Sequence, residues 1–259
     1  MRYLRILFLL ARDSAIKQTA YRPSLFWGIG GKLLRVFLFF AFTDALFQSI
    51  PAIAGWTLTT VPFLIFSLFV LDFLVGITFH RNLLFFFPEW IEKGEYDYLM
   101  VRPVNLIFLT SFRMPDVLDI ISLLGVCIPF AWYLAHASIG AYALIGYAIL
   151  MIAAYGILFA FALAVSAINF WTYIPTGIGR LYESIGRLNR FPLDALPKFW
   201  RIALFYVVPV AVAGNIPAKF LIGTWSWAQL LYIVAFAAVI FAVAVKFWYF
   251  ALTRYQSAA

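Results

Sequence analysis

The chain has 259 residues, of which 65% are hydrophobic, 20% aromatic and only 12% charged; the formal net charge is +8 and the mean hydropathy is +0.96. A soluble domain carries about 25% charged residues, so this composition disfavours a soluble enzyme, a nucleic-acid-binding domain and a disordered chain. Sixty consecutive residues between Asp119 and Arg180 carry no formal charge. The sequence therefore predicts an all-α integral membrane protein that crosses the bilayer several times.

An amphipathic segment, residues 1–22, opens the chain. Its apolar residues recur at helical spacing: Leu4, Leu7, Phe8, Ala11 and Ala15. Arg5, Arg12 and Lys17 occupy the other faces. This pattern predicts a helix that lies in the membrane interface, with its apolar side at the acyl-chain boundary. The alternative is an ordinary lead-in to the first span.

Six later segments are apolar enough to cross the hydrocarbon, which takes about 20 residues. They are residues 25–48, 58–83, 114–135, 140–168, 201–217 and 226–249. The fifth segment contains Pro209 and Pro217 and is predicted either to span the membrane with a kink or to be re-entrant.

The distribution of Lys and Arg predicts the orientation. With the N-terminus in the cytoplasm, only Lys219 of the 19 basic residues falls on the outer side, and Lys32 and Arg35 lie within the first span. Basic residues concentrate in cytoplasmic loops. We therefore expect one transmembrane domain, 1–259, with six spans, cytoplasmic N- and C-termini and a long inner loop at 84–113.

Two charges are predicted to lie inside the membrane. Arg35 is ten residues into the first span, and Asp72 is near the middle of the second, which runs in the opposite direction. The two side chains therefore lie at similar depth, and an ion pair between them is geometrically possible. Charged residues in spans are costly and often functional. The pair serves either to lock the two helices together or to line a substrate path.

The loop 84–113 is rich in acidic residues and contains a recognisable phrase. Glu89, Glu92, Glu95 and Asp97 lie within nine residues. The phrase G-x-x-D-x-L-x-x-R-P follows, from Gly94 to Pro103. A metal site would need converging ligands and a second shell, and the nearest histidine, His80, is nine residues before Glu89. A short cytoplasmic helix that a soluble partner grips fits the loop better.

The spacing of this phrase, in the first cytoplasmic loop after two spans, resembles the coupling loop of type-2 ABC exporter permeases. The chain resembles more narrowly a bacterial subfamily formerly catalogued as a domain of unknown function. The resemblance extends over nearly the whole chain. It includes Ala20 to Arg22, the run from Val207 to Ala211 with Pro217 and Ala218 after it, and the ending Arg254 and Tyr255.

The resemblance implies a permease subunit without an ATPase site of its own, in the bacterial inner membrane. Cytoplasmic ATP-binding subunits, which hold ATP and Mg²⁺, would dock on the loop; this chain would bind no cofactor or metal. The implied docking residues are Gly94, Asp97, Leu99, Arg102 and Pro103. A second permease subunit is implied, with a paralogue favoured over an identical copy, and membrane lipids surround both.

Two further patterns are weaker. Gly156, Ala160 and Ala164 recur at four-residue intervals in the fourth span, a spacing that lets helices approach closely. In the second inner loop, Leu181 and Tyr182 belong to an apolar stripe that is either a second contact for the ATP-binding subunits or an interfacial helix.

The function that the sequence favours is outward transport by alternating access, with ATP hydrolysed by a separate subunit. Few charges in the spans and abundant aromatic residues favour an amphipathic or lipid-like substrate over an ion or a sugar. The alternative is a membrane-embedded enzyme that acts on lipid headgroups through the acidic loop 89–97. A third possibility is a membrane scaffold that transports nothing.

Overall fold

A computed structural model describes residues 2–20, 22–137, 139–172, 177–186, 197–199 and 212–256. These residues are helical for the most part, and no β-strand occurs among them. The predicted all-α fold is therefore confirmed for the described ranges. The predicted fifth span, 201–217, lies largely outside them, as does the run from Val207 to Ala211.

The first part of the chain forms two helices, a turn and a third helix. These are α1 (Arg2–Thr19), α2 (Arg22–Ser49) and α3 (Val61–Ile77). The turn between α2 and α3 uses Gly55, whose φ of 85° suits a residue without a side chain. The turn brings Trp56 into the core, where it is fully buried.

The loop that follows α3 consists of short helices. They are a π-helical segment (Asn82–Phe86), α4 (Phe87–Glu92), α5 (Asp97–Met100) and α6 (Leu106–Phe112). The predicted second span, 58–83, is therefore interrupted at 78–81, and α3 makes an angle of 51° with Asn82–Glu92. The Thr78 hydroxyl donates to the Leu74 carbonyl, and the Asn82 side chain donates to the carbonyls of Thr78 and Met114. These bonds hold the break in place.

The remaining helices return through the bundle. They are α7 (Leu118–His136), α8 (Ala141–Ala167), α9 (Asn169–Thr172), α10 (Gly177–Gly186), α11 (Val212–Leu221) and α12 (Trp227–Leu252). The Ser226 side chain caps α12 in a capping box with Gln229. Helix α8 lies at the centre and packs against α3, α11 and α12, while α3 packs against α7.

Three helices of the described residues are long and apolar enough to cross a membrane: α7, α8 continued by α9, and α12. The bent pair of α3 and Asn82–Glu92 is a fourth if it counts as one span. Helix α2, the predicted first span, is not among them and carries Lys32, Arg35 and Asp44. The structure thus supports a multi-pass membrane protein with three or four candidate spans.

Candidate functional site

The loop between α3 and α7 folds back on the end of the bundle, here called the loop end. A tight turn separates α4 from α5, and Gly94 adopts φ 68° in it, which favours glycine. The Gly94 amide donates to the Ile91 carbonyl at 3.1 Å and the Tyr96 amide to the Trp90 carbonyl at 3.0 Å. Gly94, one of the predicted docking residues, therefore shapes the turn through its backbone.

A cluster of aromatic rings, here called the loop core, fixes the loop to α9 and α12. It consists of Phe87, Tyr96, Phe170, Trp248 and Tyr255. The Phe87 and Trp248 ring centroids are 4.9 Å apart, and those of Tyr96 and Phe170 are 5.7 Å apart. Aromatic pairs at such distances each contribute about 0.5–1.5 kcal/mol beyond area burial. Burial also raises the pKa of the Tyr96 hydroxyl, so Tyr96 stays neutral in this core.

Polar contacts join the same loop to the C-terminal end of α12. The Tyr255 hydroxyl donates to the Asp97 carboxylate at 3.0 Å, and the Asn105 side-chain amide donates to the Tyr249 hydroxyl at 3.2 Å. Asn105 also caps α6 by accepting from the Phe108 amide. Asp97, another predicted docking residue, is therefore hydrogen-bonded to Tyr255. Tyr255 belongs to the C-terminal ending that is part of the family resemblance.

The exposed part of the loop, here called the apex, is residues 98–103. Leu99 is only 1% exposed and belongs to the core beneath, whereas Tyr98 is 73% and Val101 82% exposed. Arg102 and Pro103 are also exposed. Of the predicted docking residues, only these last two present their side chains at the surface. Leu99 supports that surface from below.

Sequence reasoning missed the apolar residues Tyr98, Met100 and Val101 of the apex. A signal was present, because Tyr96 and Leu99 are three residues apart and share one face of a helical turn. That face is buried. The residues between and after them therefore point away from the core, and they give the apex an apolar surface beside Arg102.

Helix α1 braces the loop from one end to the other. The Arg2 guanidinium donates to the Pro103 carbonyl at 2.7 Å. Near the other end of the helix, Ser14 and Gln18 donate to the Pro115 carbonyl at 2.7 and 3.0 Å, and Gln18 accepts from the Val117 amide. Helix α1 thus connects the apex to the start of α7.

The predicted apolar side of α1 is divided between two environments. Leu4 and Phe8 are exposed, as expected for a helix at a membrane surface, while Leu7 and Ala11 are half-buried. Ser14, which the sequence did not single out, is the buried residue of this helix.

The structure brings Arg35 of α2 and Asp72 of α3 together. The Arg35 Nη2 and Asp72 Oδ2 atoms are 2.6 Å apart, and the two side chains are 41% and 49% exposed. The Arg35 guanidinium also lies over the rings of Phe69 and Phe73, at 5.5 and 6.0 Å from their centroids. A charged residue at the centre of a span costs about 2.5–3.5 kcal/mol on insertion scales, so this pairing is consequential.

A second set of charges, which the sequence did not indicate, lies one helical turn closer to the loop end. Lys32 Nζ is 2.6 Å from Asp119 Oδ1 and 3.5 Å from Asp116 Oδ2, and Arg81 Nη1 is 3.3 Å from the same Asp116 oxygen. Both aspartates are buried. Gly76 permits the close approach of α7, because a Cβ there would lie 2.1 Å from Asp119 Oδ2.

The predicted small-residue interface of α8 has different environments along its length. Ala160 is buried and Ala164 half-buried, and a Cβ added to Gly156 would meet nothing within 4 Å. The interface with another span or a partner subunit stays a prediction. A close helix contact is present at Gly146 of α8, where a Cβ would lie 2.1 Å from a ring carbon of Phe220 of α11.

The three glutamates of the loop, Glu89, Glu92 and Glu95, are exposed, unlike Asp97. Glu89 pairs with Lys93 at 3.6 Å. In the described ranges, no group of three His, Cys, Asp or Glu side chains is placed to hold a metal ion.

In the second inner loop, α10 extends over Gly177–Gly186, with Tyr182 buried and Leu181 exposed. The Tyr182 ring lies 6.0 Å from that of His80, so α10 packs onto the break after α3. The rest of the predicted stripe lies outside the residues whose side chains are described.

A cavity of about 740 Å³ opens at the end of the bundle opposite the loop end. It lies between the turns that join α2 to α3, α7 to α8 and α11 to α12. Six of its sixteen lining residues are Phe, Tyr or Trp: Phe63, Tyr133, Tyr142, Phe220, Trp225 and Trp227.

The geometry combines an apolar, bent helical bundle with an exposed apex on a rigid loop. The family model described as ABC-2 family transporter protein matches residues 33–259, which is most of the chain. This chain belongs to the ABC-2 transporter family. No curated protein and no solved structure gives a significant match. The ABC-2 permease family consists of membrane transport components without an ATPase site of their own, and membership implies association with ABC ATP-binding subunits.

Within this ABC-2 permease, the matched region begins at residue 33 and so contains the loop, the Arg35–Asp72 pair and α12. Lys32 and all of α1 precede it. The bond from Arg2 to Pro103 and those from Ser14 and Gln18 to the turn before α7 therefore attach a segment outside the matched region to the loop inside it.

Proposed function

We propose that this ABC-2 permease is the membrane subunit of an ATP-driven exporter in the bacterial inner membrane. It moves an amphipathic or lipid-like substrate outward by alternating access. ATP and Mg²⁺ bind to separate cytoplasmic subunits, which dock on the apex. The observation that carries the proposal is the apex itself: Tyr98 and Val101 are exposed apolar side chains beside Arg102, on a loop that the aromatic core and α1 hold in place.

The proposed topology has six spans and both termini in the cytoplasm. The spans are α2, the segment 58–83, α7, α8, the segment 201–217 and α12. The distribution of basic residues supports it, because Lys219 alone of the 19 then lies on the outer side. The loop end is then cytoplasmic, and the cavity lies at the outer face.

The proposed substrate class is supported by the side chains that line this cavity. Aromatic rings bury large apolar areas, and the hydroxyl of Tyr and the indole N–H of Trp offer polar contacts at the same time. Such a lining suits a molecule with apolar and polar parts. A second permease subunit, a paralogue rather than an identical copy, would complete the pathway.

The docking proposal is tested by co-purification. The permease is expressed with an ATP-binding subunit and extracted in mild detergent as wild type, as Val101→Asp with Arg102→Glu, and as the control Lys93→Glu. Truncating a buried interface contact costs 2 kcal/mol or more at a hot spot, so we expect the double variant to retain less than about a tenth of the bound subunit.

The control changes the charge of an exposed residue in the same loop by as much as Arg102→Glu does, and we expect it to bind like the wild type. Equal binding by the double variant would show that the apex is not the docking surface. Failure of correctly inserted wild type to retain any ATP-binding subunit would contradict the exporter proposal.

Substitution of the acidic residues of the loop distinguishes the enzyme alternative from the exporter proposal. Replacing Glu89, Glu92 and Glu95 together by Gln would abolish headgroup chemistry that depends on them. The exporter proposal predicts that this triple variant still binds the ATP-binding subunit and still supports substrate-stimulated ATP hydrolysis.

A further inference from the structure

Arg35 and Asp72 both lie inside their helices. Arg35 is the fourteenth of the 28 residues of α2, which places it about 20 Å from either end at 1.5 Å per residue. Asp72 is the twelfth of the 17 residues of α3, about 8 Å from the C-terminal end of that helix at the same rise. It is also the only exposed residue of α3, whose other residues are buried or half-buried. In the proposed topology, the one exposed position of α3 is therefore a carboxylate within the membrane, where acyl chains cannot solvate it.

The pair retains unused binding capacity. The bond to Asp72 uses one of the five N–H donors of the Arg35 guanidinium, and the Arg35 side chain is 41% exposed. Contact with the Phe69 and Phe73 rings holds the guanidinium in place. A planar guanidinium held in this way suits a phosphate, which it binds through two parallel hydrogen bonds.

Charged side chains lead from this pair toward the loop end. Lys32 is one helical turn from Arg35 on the same side of α2, and it contacts Asp116 and Asp119. Asp116 in turn contacts Arg81, which is exposed at the loop end. This line of three basic and three acidic residues is here called the charge track. Its formal charge is zero, so it complements a zwitterion better than a simple anion.

The surface of α2 beside the charge track is apolar and open. Leu34 and Leu38, which are four residues apart on one side of α2, are exposed large side chains. Gly30 and Gly31, one turn toward the loop end, are also exposed, and a Cβ on either would meet nothing within 4 Å. Polar groups line one side of this surface and apolar side chains the other, as an amphipathic molecule requires.

We propose that the charge track binds the headgroup of a zwitterionic phospholipid. Arg35 and Lys32 bind its phosphate, and Asp72 binds its ammonium group. The acyl chains lie along Leu34 and Leu38. The inference deepens the proposed function, on which it rests, because it assigns the lipid-like cargo to a zwitterionic phospholipid and its entry to the groove between α2 and α3.

The test measures how deep a lipid headgroup reaches in the isolated permease. A fluorophore is attached to Leu34→Cys or, as a control, to Ile128→Cys, both in a Cys127→Ser background. Ile128 is an exposed apolar residue in the middle of α7. Each protein is reconstituted with phosphatidylcholine that carries a spin label either on the choline or near the end of one acyl chain.

At each site we take the ratio of quenching by the headgroup label to quenching by the acyl-chain label. We expect this ratio to be at least threefold higher at residue 34 than at residue 128. Arg35→Gln with Asp72→Asn should lower the ratio at residue 34 to the control value. Arg35→Lys keeps the charge but loses the planar fork, and an intermediate ratio is expected. The wild-type comparison of the two sites is decisive even where a variant folds poorly.

Equal ratios at the two sites would overturn the proposal. Protection of residue 34 from both labels would overturn it as well, because a polypeptide, from this chain or a second permease, would then cover the groove. Quenching there by aqueous iodide without the headgroup label would assign the track to a water-filled path instead. None of these measurements needs the ATP-binding subunit, so their failure is distinct from a failure of docking at the apex.

Discussion

The loop and helix α2 are attached to the bundle in opposite ways. The loop is held by the packed aromatic rings of the loop core, of which Phe87, Tyr96 and Trp248 are fully buried. Helix α2 has little buried surface: from residue 26 to its end, only Val36, Thr43 and Phe47 are buried. Its polar attachment consists of the contacts that Arg35 and Lys32 make with α3 and α7.

In the proposed exporter, this difference indicates that the loop transmits a movement and that helix α2 makes one. Packed cores resist deformation, so a push on the apex passes through the loop core to α12 and, through α1, to the start of α7. Helix α2 has far less packed surface to hold it. In the proposed exporter, helix α2 is therefore the element that moves relative to α3 and α7.

Removing the central ring of the loop core should have the largest effect. We expect Trp248→Ala to lower the free energy of unfolding by about 3–5 kcal/mol, because it leaves a cavity among packed rings. Phe250→Ala, an exposed ring two residues away, should change it by less than about 1 kcal/mol. Thermal unfolding in detergent measures both, and similar losses in the two variants would contradict the rigid loop core.

Removing the amine that joins α2 to α7 should have a smaller effect. We expect Lys32→Met to destabilise the permease by about 1–3 kcal/mol, because the buried Asp119 loses its partner. Adding Asp119→Asn should recover part of the loss, since a neutral amide at that position no longer needs a charge. If the double variant is no more stable than the single one, the contact does not hold α2 in place.

Weakening the attachment of α1 should have the smallest effect on stability. It should leave both the loop core and helix α2 unchanged. Ser14→Ala removes the bond from the Ser14 hydroxyl to the Pro115 carbonyl, at about 0.5–1.5 kcal/mol. Limited proteolysis should then cleave α1 earlier, while α2 and the loop core keep their protection. Thr19→Ala, which removes only bonds within α1, serves as the control.

The long apolar helices could be predicted from the sequence. Helices α8 and α12 begin within one residue of the predicted starts at 140 and 226, because an uncharged apolar run has little alternative in a membrane. The Arg35–Asp72 contact followed from counting depth along two consecutive, antiparallel helices. That reasoning needs nothing beyond the rise of a helix.

The other polar and close contacts could not be predicted. Lys32 and Asp119 are far apart in the sequence, and the packing of α7 against α3 at Gly76 brings them together. The break at 78–81 lies within a run that reads as continuous, and Asn82 donates there to the Met114 carbonyl. Leu99 is buried in the same cluster as Phe170 and Trp248, which lie far along the chain.

The most direct test of the contrast between the two regions is a pair of distance measurements in the permease assembled with its ATP-binding subunits. Spin labels at Ser49→Cys on α2 and Ile128→Cys on α7, and separately at Tyr98→Cys on the apex and Phe250→Cys on α12, are introduced in a Cys127→Ser background. Distances are compared with and without ATP trapped by vanadate. The account predicts that the α2–α7 distance changes by several ångströms while the apex–α12 distance stays constant. A constant α2–α7 distance, or a change confined to the apex, would contradict it.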